Sequence, residues 1–425
     1  MKVLWFSNTP ANSEAFLNNR LTGGGWLKSL DLAIQAKVEL HIAFYFPKLS
    51  EPFTFLNTTY YPISHPNWKL KAVINTLRPS FTDTEDLQQY LEIINKVQPD
   101  IIHIHGTENP FGCIIPQVNA PVVVSIQGNI TVYQHKFFAG LGKGYAKKKY
   151  AGSKLINNLL QKSFYENYKG MEKMKERELK NLKATQYVLG RTDWDKRLSM
   201  MMTTNARYFQ SEEMMREVFH HTKWMRNSPG IEEPFIIHST TGNGFYKGFE
   251  TICEAVQLLH NKIEFLFEWR VAGLSDTSSL VKVVKEKMGK AYPKSGLVLM
   301  GSLSEEALAV KLTEAHVFVT ASHIENSPNS LCEAMLIGMP CIATFAGGTG
   351  SMIQDRQEGI LIQDGDPWVM AGAIVEMAYS FEVAIGMGAK ARLRALKRHD
   401  KDGIVTQLLD IYQTVIKHHT DAAIV

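Results

Sequence analysis

The sequence predicts an α/β protein built from two doubly wound domains that face a central cleft. Short apolar runs alternate with amphipathic helical patterns along most of the chain, an order that gives parallel sheets with helices on both faces. At 425 residues the chain is too long for one ordinary core. A stretch dense in turn formers, RNSPGIEEP at 226–234, splits the alternation into halves.

In the first half, KVLWFS opens as a strand and a helix follows over about 26–36. VELHIAFYF reads as the next strand, a long helix ends near Val97, and DIIHIH, VVVSI and YVLG supply further strands. The second half begins with FIIH, a helix over 249–260, FLFEWRVAG, a helix near 280–288 and LVLMG. A helix from Ser304, the strand VFVTAS, a helix at Pro328, then CIAT and GILI complete it. These patterns set domains at 1–228 and 229–402, with a last helix within 403–425.

An apolar fraction of 45% beside 21% charge is ordinary for a globular chain. No stretch reaches the ~18 apolar residues that cross a bilayer. The opening MKVLWFSNTP breaks at Ser-Asn-Thr-Pro, so it reads as a strand rather than a signal peptide, and a cytoplasmic protein is expected. Cys113, Cys253, Cys332 and Cys341 lack C-x-x-C spacing, which suits reduced, packed thiols and no zinc site. Residues 143–183 carry twelve Lys or Arg against four Glu, a net +8 in a chain whose total is +4. Such runs are usually solvated surface. Interleaved Tyr145, Tyr150, Leu155, Phe164, Tyr165 and Tyr168 also suit contact with an anionic membrane surface, so a peripheral position at its inner face is an alternative. No nucleic-acid partner is expected.

The segment HIENSPNSLCEAMLIGMPCIA, 323–343, carries the chemistry. Ser327 offers an N-cap side chain, Pro328 suits a first helical position, and Gly338-Met339-Pro340 supplies a stop, which predicts a helix over 328–337. Glu325 then lies in the loop after VFVTAS, and Glu333 more than a turn inside the helix. The free N–H groups near Asn329, Ser330 and Leu331 form an anion site at the positive end of the helix dipole. Phosphate fits between amides, whereas carboxylates accept hydrogen bonds from sugar hydroxyls. A nucleotide sugar has that layout. The spacing alone also fits two surface glutamates beside a capped helix.

Glu325 and Glu333, with seven residues between them and followed by AMLIGMPCIAT and Gly347-Gly348, closely resemble the E-x7-E signature of the retaining group 1 glycosyltransferases of GT-B fold. TGGG at 22–25, DIIHIHG, YKGFETICEA, LMGSLSEE and EGILIQDGD resemble the family in the same order. The resemblance implies two Rossmann-like domains, with the donor mainly on the second and a final helix that crosses back to the first.

By that resemblance Glu333 holds the ribose hydroxyls and Glu325 the transferred sugar, with Asn326, Ser327, Asn329, Ser330 and Leu331 lining the donor site. Lys247, at the opening of a helix, neutralises the departing diphosphate. The family usually has an arginine five residues before that lysine; here Gly242 stands there, and Arg191 of GRTDWD is the candidate replacement. Gly23, Gly24 and Gly25 let backbone approach a ligand closely. His103 and His105 share a side of DIIHIH by strand period, and His105 lies at the carboxyl end, where open sheets bind ligands. Gln127 occupies a position where the family often has histidine; it hydrogen-bonds a sugar but takes no proton.

The expected reaction moves a sugar from a nucleoside-diphosphate sugar to a hydroxyl of a glycan or lipid-linked acceptor with retention, in cell-surface polysaccharide biosynthesis. Glu325, Lys247 and His105 are the catalytic candidates. No cofactor and no metal are expected to be required, since Asp193-Trp194-Asp195 reads as a helix start and Asp364-Gly365-Asp366 as a turn. An epimerase on the same fold and a non-catalytic nucleotide-sugar-binding or scaffold subunit are the alternatives.

Overall fold

The computed structural model describes residues 1–14, 16–17, 25–46, 49, 51–64, 83–142, 144, 161–230, 232–262 and 266–424. The chain forms two compact units, each assembled from separate stretches. Met1–Thr131, Met174–Met214 and His399–Val425 make the first, and Val132–Lys173 with Met215–Arg398 the second.

The first unit holds an eight-stranded sheet. Its strands are β1 (Lys2–Ser7), β2 (Glu39–Tyr45), β3 (Phe53–Phe55), β4 (Thr58–Ile63), β5 (Ile101–His105), β6 (Val122–Ser125), β7 (Tyr187–Gly190) and β8 (Arg207–Gln210). They lie in the order β3-β4-β2-β1-β5-β6-β7-β8, parallel throughout except for β3 against β4. Strand period two explains why β1 is apolar at every interior position. Val3 and Trp5 join Leu27, Leu30 and Ile34 of helix Gly25–Ile34 and Ile404, Leu408 and Tyr412 of helix Lys401–Ile424. Leu4 and Phe6 join Tyr90, Ile94 and Val97 of helix Asp83–Val97 on the opposite face. Each such fully buried side chain contributes about 1.5–3 kcal/mol.

β4 and β8 were not predicted by the apolar runs. Pro62 argues against a strand, yet β3 pairs with β4 only as far as Tyr60, so Pro62 lies beyond that ladder and its missing N–H costs no bond there. β8, RYFQ, is half exposed and polar at both ends, so it lacks a hydrophobic run.

The second unit holds six parallel strands, β9 (Phe235–Thr240), β10 (Phe267–Ala272), β11 (Leu297–Gly301), β12 (Val317–Thr320), β13 (Cys341–Thr344) and β14 (Ile360–Ile362). Their order is β11-β10-β9-β12-β13-β14, the doubly wound arrangement the alternation predicts. The helices between them start where the local chemistry directs. Ser304 caps Glu305–Thr313 through the Ala307 N–H, and Asp366 caps Pro367–Tyr379 through the Trp368 and Val369 N–H groups.

The unit boundaries differ from the expected 1–228 and 229–402. Phe137, Phe138, Leu141 and Tyr168 pack into the second unit's core beside Phe245 and Phe249, so 132–173 group there. Trp224 does the same, its Nε1 donating to Ala315 O at 2.7 Å, so the turn-rich 226–234 lies inside the second unit rather than between units. Residues 399–425 group with the first unit, where Tyr412 accepts from Trp5 Nε1 at 3.0 Å. Of the basic segment, 143 and 145–160 lie outside the described residues, and 161–183 belong to helix Gln161–Ala184. No single helix among the described residues is long and apolar enough to cross a membrane.

Candidate functional site

Chain order reverses between β9 and β12: β10 and β11 lie to one side, β13 and β14 to the other. Loops leaving the carboxyl ends of neighbouring strands diverge at such a point and leave a crevice. The loop after β9 carries Lys247 and the loop after β12 carries Glu325. Sheet order therefore brings the two together: Lys247 Nζ donates to Glu325 Oε1 at 2.5 Å, and Ser322 Oγ donates to the same oxygen at 2.9 Å.

The loops interlock through backbone. His323 N–H donates to Tyr246 O at 2.7 Å, and Gly348 N–H to Glu325 O at 2.8 Å. A Cβ on Gly248 (φ +71°) would stand 1.9 Å from Ala321 O, and one on Gly347 (φ +58°) 1.9 Å from Glu325 O. Only glycine allows both the left-handed backbone and the close approach. Burial works against the Lys247 charge, but Glu325 and Tyr246 outweigh it and hold the ammonium pKa above its usual value.

Helix Asn329–Ile337 follows, and its start corrects the expected cap. Pro328 takes the N-cap position and no side chain caps the helix; Ser327 Oγ instead lies 4.0 Å from Cys332 Sγ. The Leu331 and Cys332 N–H groups already donate to Pro328 O, at 3.0 and 3.2 Å. Leu331 is thus spent, and the amides left for an anion are those ahead of it, of Asn329 and Ser330. Asn329 Oδ1 is buried without a hydrogen-bond partner among the described residues, and Asn326 and Ser327 are buried beside it.

Glu333 is 3% exposed and lies against Arg216, whose Nε and Nη2 both donate to its Oε1, at 3.1 and 2.5 Å. Burial raises the carboxyl pKa, and Arg216 opposes that rise. Behind Glu325, His323 sits between two carboxylates, Glu250 Oε1 at 2.6 Å from its Nε2 and Asp364 Oδ2 at 3.3 Å from its Nδ1. Burial disfavours its charge, yet both carboxylates raise its pKa above the ordinary imidazole value. Lys136 Nζ joins Asp364 at 3.2 Å. A Cβ on Gly242 would meet nothing within 4 Å, so the space beside it is open.

Both Asp-x-Asp triplets have structural tasks. Asp195 closes the capping box of helix Asp193–Met202 with Thr192 and accepts from Tyr208 Oη at 2.5 Å. Asp364 binds His323 and Lys136, and Asp366 caps a helix. No group of three or more metal-ligating side chains occurs among the described residues.

The remaining candidates belong to the first unit. Gly23 and Gly24 lie outside the described residues, while Gly25 opens helix Gly25–Ile34. A small pocket is lined by Trp26, His105, Gln127, Arg191 and Glu213, among others. His105 is buried, and neither ring nitrogen has a hydrogen-bond partner among the described residues. Burial, then neighbouring His103, push its pKa well below the usual value. The neutral ring therefore keeps one N–H and one lone pair unsatisfied beside the pocket. His103 is used differently: Nδ1 meets Tyr412 Oη and Nε2 meets Ser125 Oγ, both at 2.6 Å. Arg191 is ion-paired with Glu213 and donates to Gln127 Oε1 at 3.1 Å and to the Gln127 carbonyl at 3.0 Å. Its charge is met by Glu213 inside the first unit.

Sequence reasoning missed Arg216, Glu213 and the His323 cluster. Each depends on a partner distant along the chain, and none sits in a repeating pattern. An acidic residue at Glu250 and a histidine beside Glu325 were the visible signals.

Residues 235–379 match the family model described as "Glycosyl transferases group 1". N-acetyl-alpha-D-glucosaminyl L-malate synthase of Bacillus anthracis is 29% identical over 113 residues, which cover 27% of this chain and 30% of that protein. The matched stretches span less than half the length of the curated relatives. Sucrose-phosphate synthase from Thermosynechococcus elongatus aligns at a TM-score of 0.73 and 15% identity, covering 98% of this chain and 99% of that one. The Anabaena HepE structure in complex with UDP-glucose aligns at 0.64 and 12% identity, covering 97% and 100%. Residues 235–379 are thus similar to the group 1 glycosyltransferases, and the two parallel-sheet units carry the GT-B fold.

Proposed function

We propose that the protein transfers a sugar from a nucleoside-diphosphate sugar to an acceptor hydroxyl with retention of configuration. The observation that carries this reading is the Lys247–Glu325 contact at the β9/β12 switch point, beside a helix whose amino end no side chain closes. Diphosphate takes the Lys247 ammonium and the amides of Asn329 and Ser330, and Glu325, released from the lysine, accepts a hydroxyl of the sugar. Glu333 receives the ribose hydroxyls. The bond between the anomeric carbon and the phosphate oxygen breaks with its electron pair going to phosphate. The acceptor oxygen then bonds to that carbon on the same face, and its proton passes to the leaving phosphate. Lys247 stabilises the charge that develops, so the reading invokes neither cofactor nor metal. In the first unit, neutral His105, with Gln127 lining the same pocket and Gly25 at the start of helix Gly25–Ile34, offers hydrogen bonds to a substrate hydroxyl.

That HepE was solved with UDP-glucose makes UDP-sugars the first donors to try. Calorimetric titration of a nucleotide-sugar panel checks the reading. Lys247→Ala removes a charge-assisted bond of about 1.5–3 kcal/mol and should weaken the best donor by roughly 10- to 150-fold while leaving the nucleoside unchanged. Equal donor affinity in both proteins sinks it.

The open space at Gly242 favours one second reading, a nucleotide-sugar-binding subunit without turnover. Donor binding with no transfer or hydrolysis across glycan and lipid-linked acceptors would select it. The acceptor proposed first is a glycan or lipid-linked hydroxyl of surface polysaccharide assembly, met at an anionic membrane through 143–183. Co-sedimentation with liposomes that ignores their anionic lipid content counts against the membrane part.

A further inference from the structure

Arg216 stands at the second residue of the second unit's 215–398 stretch, ahead of the short helix Glu217–His221. Its guanidinium lies 4.8 Å over the ring of Phe219, itself fully buried, and Nη1 approaches Glu305 Oε2 at 3.8 Å. These contacts fix the group in place. Two of its N–H donors then converge on one oxygen of Glu333, Oε1. The other oxygen, Oε2, makes no hydrogen bond within the described residues and is not sealed in the interior. A carboxylate on a helix side chain would otherwise rotate about its last bond and share both oxygens among whatever donors approach. Here one oxygen is committed and the other is presented.

We propose that Arg216 is a positioning residue of the nucleotide site, clamping Glu333 through Oε1 so that Oε2 faces the ribose hydroxyls. The inference rests on the reading of Glu333 as the ribose acceptor. It also assigns a role to a residue outside the E-x7-E segment, which reaches Glu333 across 117 positions. The arginine acts on ribose through Glu333, and its loss leaves the diphosphate contacts at Lys247 and the helix amides intact.

The test measures how strongly binding depends on the ribose hydroxyls. UDP, GDP and ADP are titrated into the full chain by calorimetry, and the tightest is compared with its 2′-deoxy and 3′-deoxy forms and with its monophosphate. In the wild type, loss of a hydroxyl held by a charged carboxylate should cost roughly 10- to 150-fold. Arg216→Met should bring that ratio close to one while the ratio of diphosphate to monophosphate affinity stays at its wild-type value. Arg216→Lys, which keeps charge but not the fork, should recover part of the hydroxyl dependence and serves if the methionine variant does not unfold cooperatively. An unchanged hydroxyl ratio in folded Arg216→Met overturns the proposal, as does uniform weakening of all nucleotides with ratios preserved. Glu333→Gln separates the two layers. If it abolishes hydroxyl dependence and Arg216→Met does not, only the arginine's role falls; if neither does, Glu333 is not the ribose acceptor. Failure of all three diphosphates to bind overturns both.

Discussion

Replacing Gly347 by alanine should disturb both the stability of the second unit and the placement of Glu325. Its φ of +58° lies in the left-handed region, which costs a non-glycine residue about 1–2 kcal/mol. The added Cβ would stand 1.9 Å from Glu325 O, whereas a carbon–oxygen contact settles at about 3.3 Å. The carbonyl must retreat by roughly 1.4 Å, and the 2.8 Å bond it accepts from Gly348 N–H goes with it, a further loss of about 1 kcal/mol. Together the change should destabilise by on the order of 2–4 kcal/mol. Because a displacement near 1 Å in a binding site can cost about 100-fold, nucleotide-sugar affinity should fall by that order. Urea unfolding and calorimetry read the two effects. Gly242→Ala is the control: its Cβ meets nothing within 4 Å, and stability should stay within about 0.5 kcal/mol of wild type. Equal behaviour of the two variants refutes the reasoning.

Other substitutions probe the remaining networks. Tyr412→Phe strips the acceptor from Trp5 Nε1 and the hydroxyl from His103 Nδ1 inside a sealed core, so about 1–3 kcal/mol should be lost on denaturant unfolding; a change within 0.5 kcal/mol would show that the pair has found other partners. His323 has a folded pKa raised above its unfolded value by Glu250 and Asp364, so its contribution is full below an unfolded pKa of about 6.5 and is lost as pH rises through the folded pKa. The stability gap between wild type and His323→Gln should therefore be larger at about pH 6 than at about pH 9, and a gap that widens with pH contradicts the assignment.

Fold and site were legible to different depths. β12 and β13 of the second sheet could be read because both their faces are buried, which demands the unbroken apolar runs VFVT and CIAT. The strand–loop–helix around Glu325 and Glu333 was legible too, since a strand end, a proline and a terminal glycine are local signals. Ser327 was misjudged because Ser before Pro is an apt cap by type, while the geometry put Pro328 in that position. The grouping of 132–173 with the second unit was hidden in a stretch whose charge dominates its four core side chains. Arg216 and His323 were unreadable in their roles, because their partners are fixed only when β12 docks beside β9 and the Asn329–Ile337 helix comes to rest.

The bond from Trp5 to Tyr412 spans 407 residues, and its consequence appears during synthesis. At roughly 5–20 residues per second, about 20–80 s separate the ribosomal debut of the first strand from that of the helix that seals it. In that interval Leu27, Leu30 and Ile34 can cover this face of β1 from one side, while the share given by Ile404, Leu408 and Tyr412 is still missing. Truncation after Arg398 would make that waiting state permanent.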